Sequence, residues 1–301
     1  MSTTSKPVAT VVRPAREIPV LFDVDVAVVG GGSAGIAAAV SAAREGARTL
    51  LIERNGFLGG VMTATSLGGI CGLYTLIVAV PVQMVYGFAE EVRQRLVARG
   101  ATKGPLPWLK TASLPYDLYS MKQVCDDLAH EPGLRTLLQA RVTDVMHSEG
   151  QVRTLIVRTR ADECAVNARV VIDASGDAEV CALAGAPFEY DRATLQFPTA
   201  MFRMGGVDSA VARQSGREHI RERLEQAVAD GLHLPRTTGG IYSVRDGIVH
   251  LNITRVASAD GSTPDIFDPI ALTEAEFEGR RQATRYPTPQ PMRDQKRVCR
   301  L

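Results

Sequence analysis

The sequence has no surplus of either charge: 34 lysines and arginines stand against 33 aspartates and glutamates, a formal net charge of +1. A field strong enough to recruit nucleic acid or an acidic membrane is therefore absent. Cysteine is sparse and scattered. Cys71, Cys125, Cys164, Cys181 and Cys299 form no C-x-x-C pair and no Cys/His cluster, so disulfide scaffolds, zinc sites and iron–sulfur clusters are excluded and no metal is expected. There is no long hydrophobic run either. The longest, Leu76 to Val80 continued by Val82, is interrupted by Pro81 and is far shorter than the roughly 20 residues that span a bilayer. The first twenty residues hold no signal-peptide core and no paired arginines, so the expectation is a cytoplasmic protein with reduced thiols.

Glycine, at 27 of 301 residues, is plentiful. The excess marks tight turns or close approach of backbone to a ligand. Residues 1 to 20 mix Pro, Thr, Val and charge without period and read as an extended or disordered lead-in. Asp25 to Val29 is a β-branched run suited to a strand buried on both faces, and it ends in Gly30-Gly31-Gly32. Ser33 to Glu45 favours helix and Gly46 stops it; Thr49 to Ile52 is a second buried strand closed by Glu53 and Arg54. Strand, glycine turn, helix and strand in about 30 residues make a βαβ unit.

Downstream, Tyr86 to Ala98 has the apolar spacing of an amphipathic helix. Residues 101 to 116, with Pro105, Pro107, Pro115 and the single Trp108, read as a loop. Leu118 to His130 reads as a helix, Leu134 to His147 and Val152 to Thr159 as strands, and Ala168 to Ala174 as another buried parallel strand. Past Gly185 the texture changes. Phe197 to Met204 and Gly240 to Val256 suggest a second sheet, with a helix at Ser209 to Asp230 between them and another at Leu272 to Ala283 capped by Thr273 and Glu276. Residues 284 to 301 lack periodicity and read as a disordered basic tail. The predicted fold is α/β: a Rossmann-like nucleotide domain with a parallel sheet at residues 21–185, and a smaller mixed-sheet α+β domain for substrate at 186–283.

Gly30-x-Gly32-x-x-Gly35 has the dinucleotide spacing. In that arrangement the first glycine makes the tight turn, the second admits a pyrophosphate and the third lets helix pack on strand. The backbone at Ser33 and Ala34 would hold phosphate at the helix start. Glu53, 18 residues beyond Gly35, can accept from a ribose hydroxyl. An NAD-dependent dehydrogenase needs no more than this, but Asp173-Ala174-Ser175-Gly176-Asp177 offers a second strand end to the same nucleotide edge.

Three separated runs, AAREGARTLLIERNGFLGG, VVIDASGDAEVCALAGAPFE and FPTAMFRMGGVD, resemble a bacterial FAD-dependent oxidoreductase family of the glutathione-reductase-like superfamily, related to the flavin-carrying portion of heterodisulfide reductase. The resemblance covers about residues 20 to 283. It implies bound FAD, with Gly30, Gly32, Ser33, Ala34 and Gly35 at the pyrophosphate, Glu53 at the adenosine ribose and Arg54 beside it. It further implies Gly60 and Val61 near the flavin diphosphate and ribityl region, Val142 at the adenine edge, and Gly176 and Asp177 closing over the nucleotide. Asp177 can equally cap a helix from Ala178 to Ala184.

Members of that family run longer and complete the flavin pocket with a later glycine-rich segment, so the resemblance also implies a truncated chain with one wall missing, and a catalytically impaired remnant is the rival expectation. Catalytic residues are not assigned by this reading, because flavin carries the hydride chemistry. The candidates are Cys71, in a glycine-rich stretch, and Arg203 and Arg255, on strands of the second domain; a buried structural thiol and ordinary salt bridges are the alternatives. A small-molecule substrate and an electron donor or acceptor are the expected partners, with neither nucleic acid nor membrane. The substrate, the acceptor and the oligomeric state, homo-oligomer included, are not written in the sequence.

Overall fold

A computed structural model describes residues 9–286. The chain divides into two compact units, residues 13–64 with 70–189, and residues 65–69 with 190–286 together with the described start of the chain.

The larger unit is built on a six-stranded sheet: β1 (Val20–Val29), β2 (Thr49–Ile52), β7 (Leu134–Leu137), β8 (Arg141–Ser148), β9 (Gln151–Arg158) and β10 (Glu163–Asp173), in the order β7-β2-β1-β10-β9-β8. The first four in that order are parallel, and β9 and β8 are antiparallel. Alternation along the strands feeds two cores. Val28 and Leu51 pack with Ile36 and Val40 of α1 (Ser33–Arg44) and with Met121, Val124 and Leu128 of α4 (Leu118–Ala129). Ala27, Val29, Leu50 and Ile52 turn the other way and meet Val142, Leu155, Val157 and Val166. Strands buried on both faces need apolar residues at consecutive positions, which is why the run reads VAVV rather than alternating with polar residues.

β10 differs from the buried strand expected at 168–174. Its first half pairs with both β1 and β9, but pairing with β9 stops at Asn167, and Arg169 and Val170 are exposed. The stretch 134–147 is two strands, because Gln139 takes φ +53 and turns the chain from one end of the sheet towards the other. Of the lead-in, residues 9–19 carry no regular structure, yet Arg13 and Arg16 are ion-paired with Glu163 and Arg16 with Asp162, which ties the segment down; residues 1–8 lie outside the described residues.

A short helix, α2 (Val61–Ala64), leads to a four-stranded antiparallel sheet: β3 (Gly69–Ile77), β4 (Val80–Gln83), β5 (Leu106–Trp108) and β6 (Thr111–Pro115), ordered β4-β3-β6-β5. Residues 101–116 are therefore not simply a loop. Pro107 is tolerated because β5 is an edge strand, where one side of the backbone needs no partner. Between the hairpins runs α3 (Phe88–Ala98).

After α5 (Glu179–Leu183), the smaller unit holds β11 (Phe202–Gly205), α6 (Ser209–Ala229), β12 (Gly240–Tyr242), β13 (Ile248–Asn252) and α7 (Pro269–Arg285). The antiparallel order is β11-β13-β12, with strands shorter than the sequence suggests. Met204, Leu224, Val249, Leu251, Ile253 and Tyr286 form its core. α7 is capped by Asp268, whose carboxylate accepts from the amides of Ile270 and Ala271 with Pro269 at the first position; Thr273 lies inside the helix and donates to the Pro269 carbonyl. The expected tail start is also corrected: 284 and 285 are helical and Tyr286 is buried, while 287–301 and Cys299 lie outside the described residues.

Candidate functional site

The carboxyl ends of β1, β2 and β10 meet the start of α1 around a cleft of about 390 Å³. At its floor the chain leaves β1 through Gly30, whose φ of +101 belongs to the left-handed region and whose hypothetical Cβ would stand 2.2 Å from the Ala174 carbonyl oxygen. A Cβ on Gly35 would stand 1.7 Å from the Gly30 oxygen, so Gly35 is required for helix-to-strand packing and does not line the cleft. Gly32 is different. It has an ordinary φ of −74, and a Cβ there would meet nothing closer than the Gly60 Cα at 3.9 Å. Neither conformation nor packing within the chain calls for glycine at this position.

Gly32 is also the N-cap of α1, with no side-chain cap and no acidic residue in the first turn. The first amides of a helix have no intrahelical acceptor and carry the positive end of the helix dipole. Ser33 and Ala34, which line the cleft, thus present an electropositive, uncapped edge. The chemistry fits a pyrophosphate seated over Gly32.

Glu53 lies 4% exposed at the end of β2. Its Oε2 accepts the Gly31 amide N–H at 2.6 Å, and its Oε1 accepts both the backbone and side-chain N–H of Asn55 at 2.7 Å. Three of its roughly four acceptor positions are taken by the chain itself. Glu53 therefore does more than the sequence reading assigned it: it fixes the glycine loop and leaves one lone-pair position on Oε2 for a ribose hydroxyl.

At the rim, Arg54 donates to Glu179 Oε1 at 2.8 Å and Arg141 to the same oxygen at 3.4 Å, so two guanidinium groups share one carboxylate. Opposite, burial raises the Asp173 carboxyl, but donors from the Ser175 hydroxyl and amide and the Cys181 amide outweigh it and hold the group below the ordinary carboxylate range. This network shapes the turn that carries Ser175, Gly176 and Asp177 into the cleft lining. Asp177 does not cap α5; that position belongs to Ala178, in the left-handed region at φ +54.

The cleft brings together Gly30, Gly32, Ser33, Ala34, Glu53, Arg54, Gly60, Val61, Val142, Gly176 and Asp177. Asn55, Arg141 and Glu179 also line it and were not expected. Asn55 had a local signal, an amide side chain two residues beyond the strand-end carboxylate; Arg141 and Glu179 had none, because their meeting depends on β8 and α5 packing together.

The three catalytic candidates fall elsewhere. Cys71 is in strand β3 rather than a loop, is exposed and free, and lines neither this cleft nor the apolar cavity beside α1. Arg203 is exposed on β11. Arg255 lies beyond the end of β13, with its guanidinium 3.9 Å from the centre of the Phe197 ring. Among the described residues no group of His, Cys, Asp and Glu is arranged for a metal ion, and no helix is long and apolar enough to cross a membrane.

No curated protein matches the chain. Among solved structures, a geranylgeranyl bacteriochlorophyll reductase-like protein from Thermoplasma acidophilum superposes with a TM-score of 0.51 at 16% identity, covering 87% of this chain and 63% of that one. The 3-ketosteroid-Δ4-(5α)-dehydrogenase of Rhodococcus jostii RHA1 matches at 20% identity and a TM-score of 0.36, over 51% of this chain and 46% of that one. Thermovibrio ammonificans THI4 matches at 19% identity and a TM-score of 0.39, over 66% and 72%. The chain thus spans about half to three-quarters of the length of these proteins, and the first likeness is one of fold. The sequence itself matches the model of the FAD-dependent oxidoreductases over residues 25–290, the whole glycine loop included, and the chain belongs to that family.

Proposed function

We propose that the chain is an FAD-binding oxidoreductase that passes a hydride or electrons between a small organic substrate and a redox partner. The observation that carries this reading is Gly32: a glycine that the chain's own packing and backbone do not require, at an uncapped helix start, opposite Gly60. Space kept free there is explained by a ligand whose phosphates come within contact of backbone. FAD, when bound, supplies the hydride and electron chemistry itself. The chain's residues bind and orient it: the amides of Ser33 and Ala34 hold the pyrophosphate, Glu53 accepts from the ribose, and Arg54 with Arg141 neutralises the anionic ligand at the rim.

In this reading Gly60, Val61 and Met62 line the approach to the ribityl side, Val142 offers backbone to the adenine, and Gly176 and Asp177 close the cleft. Residues 21–185 form the FAD-binding part and 186–283 the part that selects the substrate. The cytoplasm is the proposed location. The test is the visible spectrum of the purified chain, with chromatography of any nucleotide released on unfolding. FAD near one per chain, lost in Gly32→Val with the fold retained, is the expected result; a chain that takes up no added FAD overturns it.

A further inference from the structure

Beside the nucleotide cleft the same unit contains a second cavity, of about 430 Å³. Five elements wall it: α1 contributes Ile36 and Ala37, α2 Met62, β3 Ile70 and Leu73, α3 Phe88, Ala89 and Val92, and α4 Met121, Cys125 and Leu128. Tyr86, 65% exposed, stands in the connection before α3. Among the described residues no lysine, arginine, histidine, aspartate or glutamate lines it, and the polar side-chain atoms there besides the Ser33 hydroxyl are the Tyr86 hydroxyl and the Cys125 thiol. Burial pushes that thiol up to about 12, so it stays neutral at any physiological pH. A wall set of this kind gives an ionised guest nothing to offset the loss of its hydration, whereas apolar surface gains from entering.

We infer that this cavity is a binding site for an uncharged, largely hydrocarbon or aromatic small molecule. Its size sets the scale of the guest. An apolar cavity of about 150 Å³ accepts one benzene, so 430 Å³ corresponds to about three such rings and lies in the range of small-molecule sites. The concavity selects a small molecule over a protein surface, because five elements converge on it. The cavity shares Ser33, Ala34 and Met62 with the nucleotide cleft, so a guest lies against the opening turn of α1. The inference rests on this cavity's walls and not on the flavin reading.

The test uses two probes with one ring skeleton, N-phenyl-1-naphthylamine, which is neutral, and its 8-sulfonate, which is an anion. Fluorescence titration of the purified full chain is expected to show saturable binding of one neutral probe per chain and at least tenfold weaker binding of the sulfonate. Ala89→Phe and Ala37→Leu fill the cavity from two of its walls, α3 and α1, and each is expected to weaken the neutral probe at least tenfold while circular dichroism and FAD content stay unchanged. Failure of the wild-type chain to bind the neutral probe saturably, or equal binding of the two probes, overturns the assignment on the wild-type chain alone. Undiminished binding in both folded variants does the same. Binding that appears only on dilution of a self-associated chain also overturns it, in favour of a second copy covering the cavity.

Discussion

The Glu53 carboxylate accepts the Gly31 amide at 2.6 Å, so the residue that closes β2 holds the glycine loop that follows β1. The contact is buried, and Asn55 uses the other oxygen. A residue expected only to touch a ribose is therefore also part of the scaffold.

Glu53→Ala should lower the stability of the cofactor-free chain by about 1–3 kcal/mol, the cost of leaving buried donors without an acceptor, and weaken FAD binding as well. Glu53→Gln, which keeps one oxygen for Gly31, should recover part of the stability. Urea unfolding with and without FAD separates the two effects. An unchanged cofactor-free midpoint for Glu53→Ala would confine the residue to ligand contact.

Gly32 and Gly35 should separate binding from folding. Gly35→Ala places a methyl against the Gly30 carbonyl and should destabilise the chain by roughly 1–3 kcal/mol or more. Gly32→Ala meets only the Gly60 Cα, at an ordinary contact distance of 3.9 Å, and should cost at most about 1 kcal/mol, as a changed helix cap, while FAD affinity falls by an order of magnitude. Paired thermal melts and FAD titrations measure this, and equal destabilisation by both variants would contradict it.

The alkaline limit of stability should depend on Tyr286. Burial pushes its phenol up to about 12 from an ordinary 10, and its hydroxyl lies 2.6 Å from the Ile253 carbonyl. The folded state holds this proton more tightly than the unfolded one. The contribution is therefore complete below pH 10 and disappears as pH rises from 10 through about 12. Tyr286→Phe should flatten stability against pH in that window in chemical denaturation, and an unchanged slope would show that the ring is not buried in solution.

Leu51→Ala removes a fully buried side chain from the face of β2 that packs on α1 and α4. A loss of about 2–5 kcal/mol is expected, read as a lower urea midpoint at unchanged slope. A loss below about 1 kcal/mol would mean that this core is loosely packed.

The β1–α1–β2 unit was legible because its signals are local: a β-branched run, three glycines at fixed spacing, small helix formers and a carboxylate at the next strand end. Residues 106–115 were not, since the proline-bearing β5 pairs only with β6, and β6 in turn lies beside β3, which comes well before it in the chain. The start of α7 was missed although its signal is local. Asp268-Pro269 is a strong helix opening, and Thr273 with Glu276 imitated a capping box one turn too late. At the site, the glycine loop and Glu53 could be read from spacing, but Glu179 between Arg54 and Arg141 is a product of packing between β8 and α5.

The pairing of β1 with β10 has a consequence for biosynthesis. Val28 waits for Ile172, 144 residues later in the chain, so at ribosomal rates of about 5–20 residues per second the central strand of the sheet keeps one edge open for about 7–29 seconds. For that interval the nascent chain presents β1, a strand that ends in a continuous apolar run, with only β2 beside it and β7 beyond β2 on the sheet. The nucleotide-binding fold closes late, and the nascent chain is most exposed to mispairing between the emergence of β2 and that of β10.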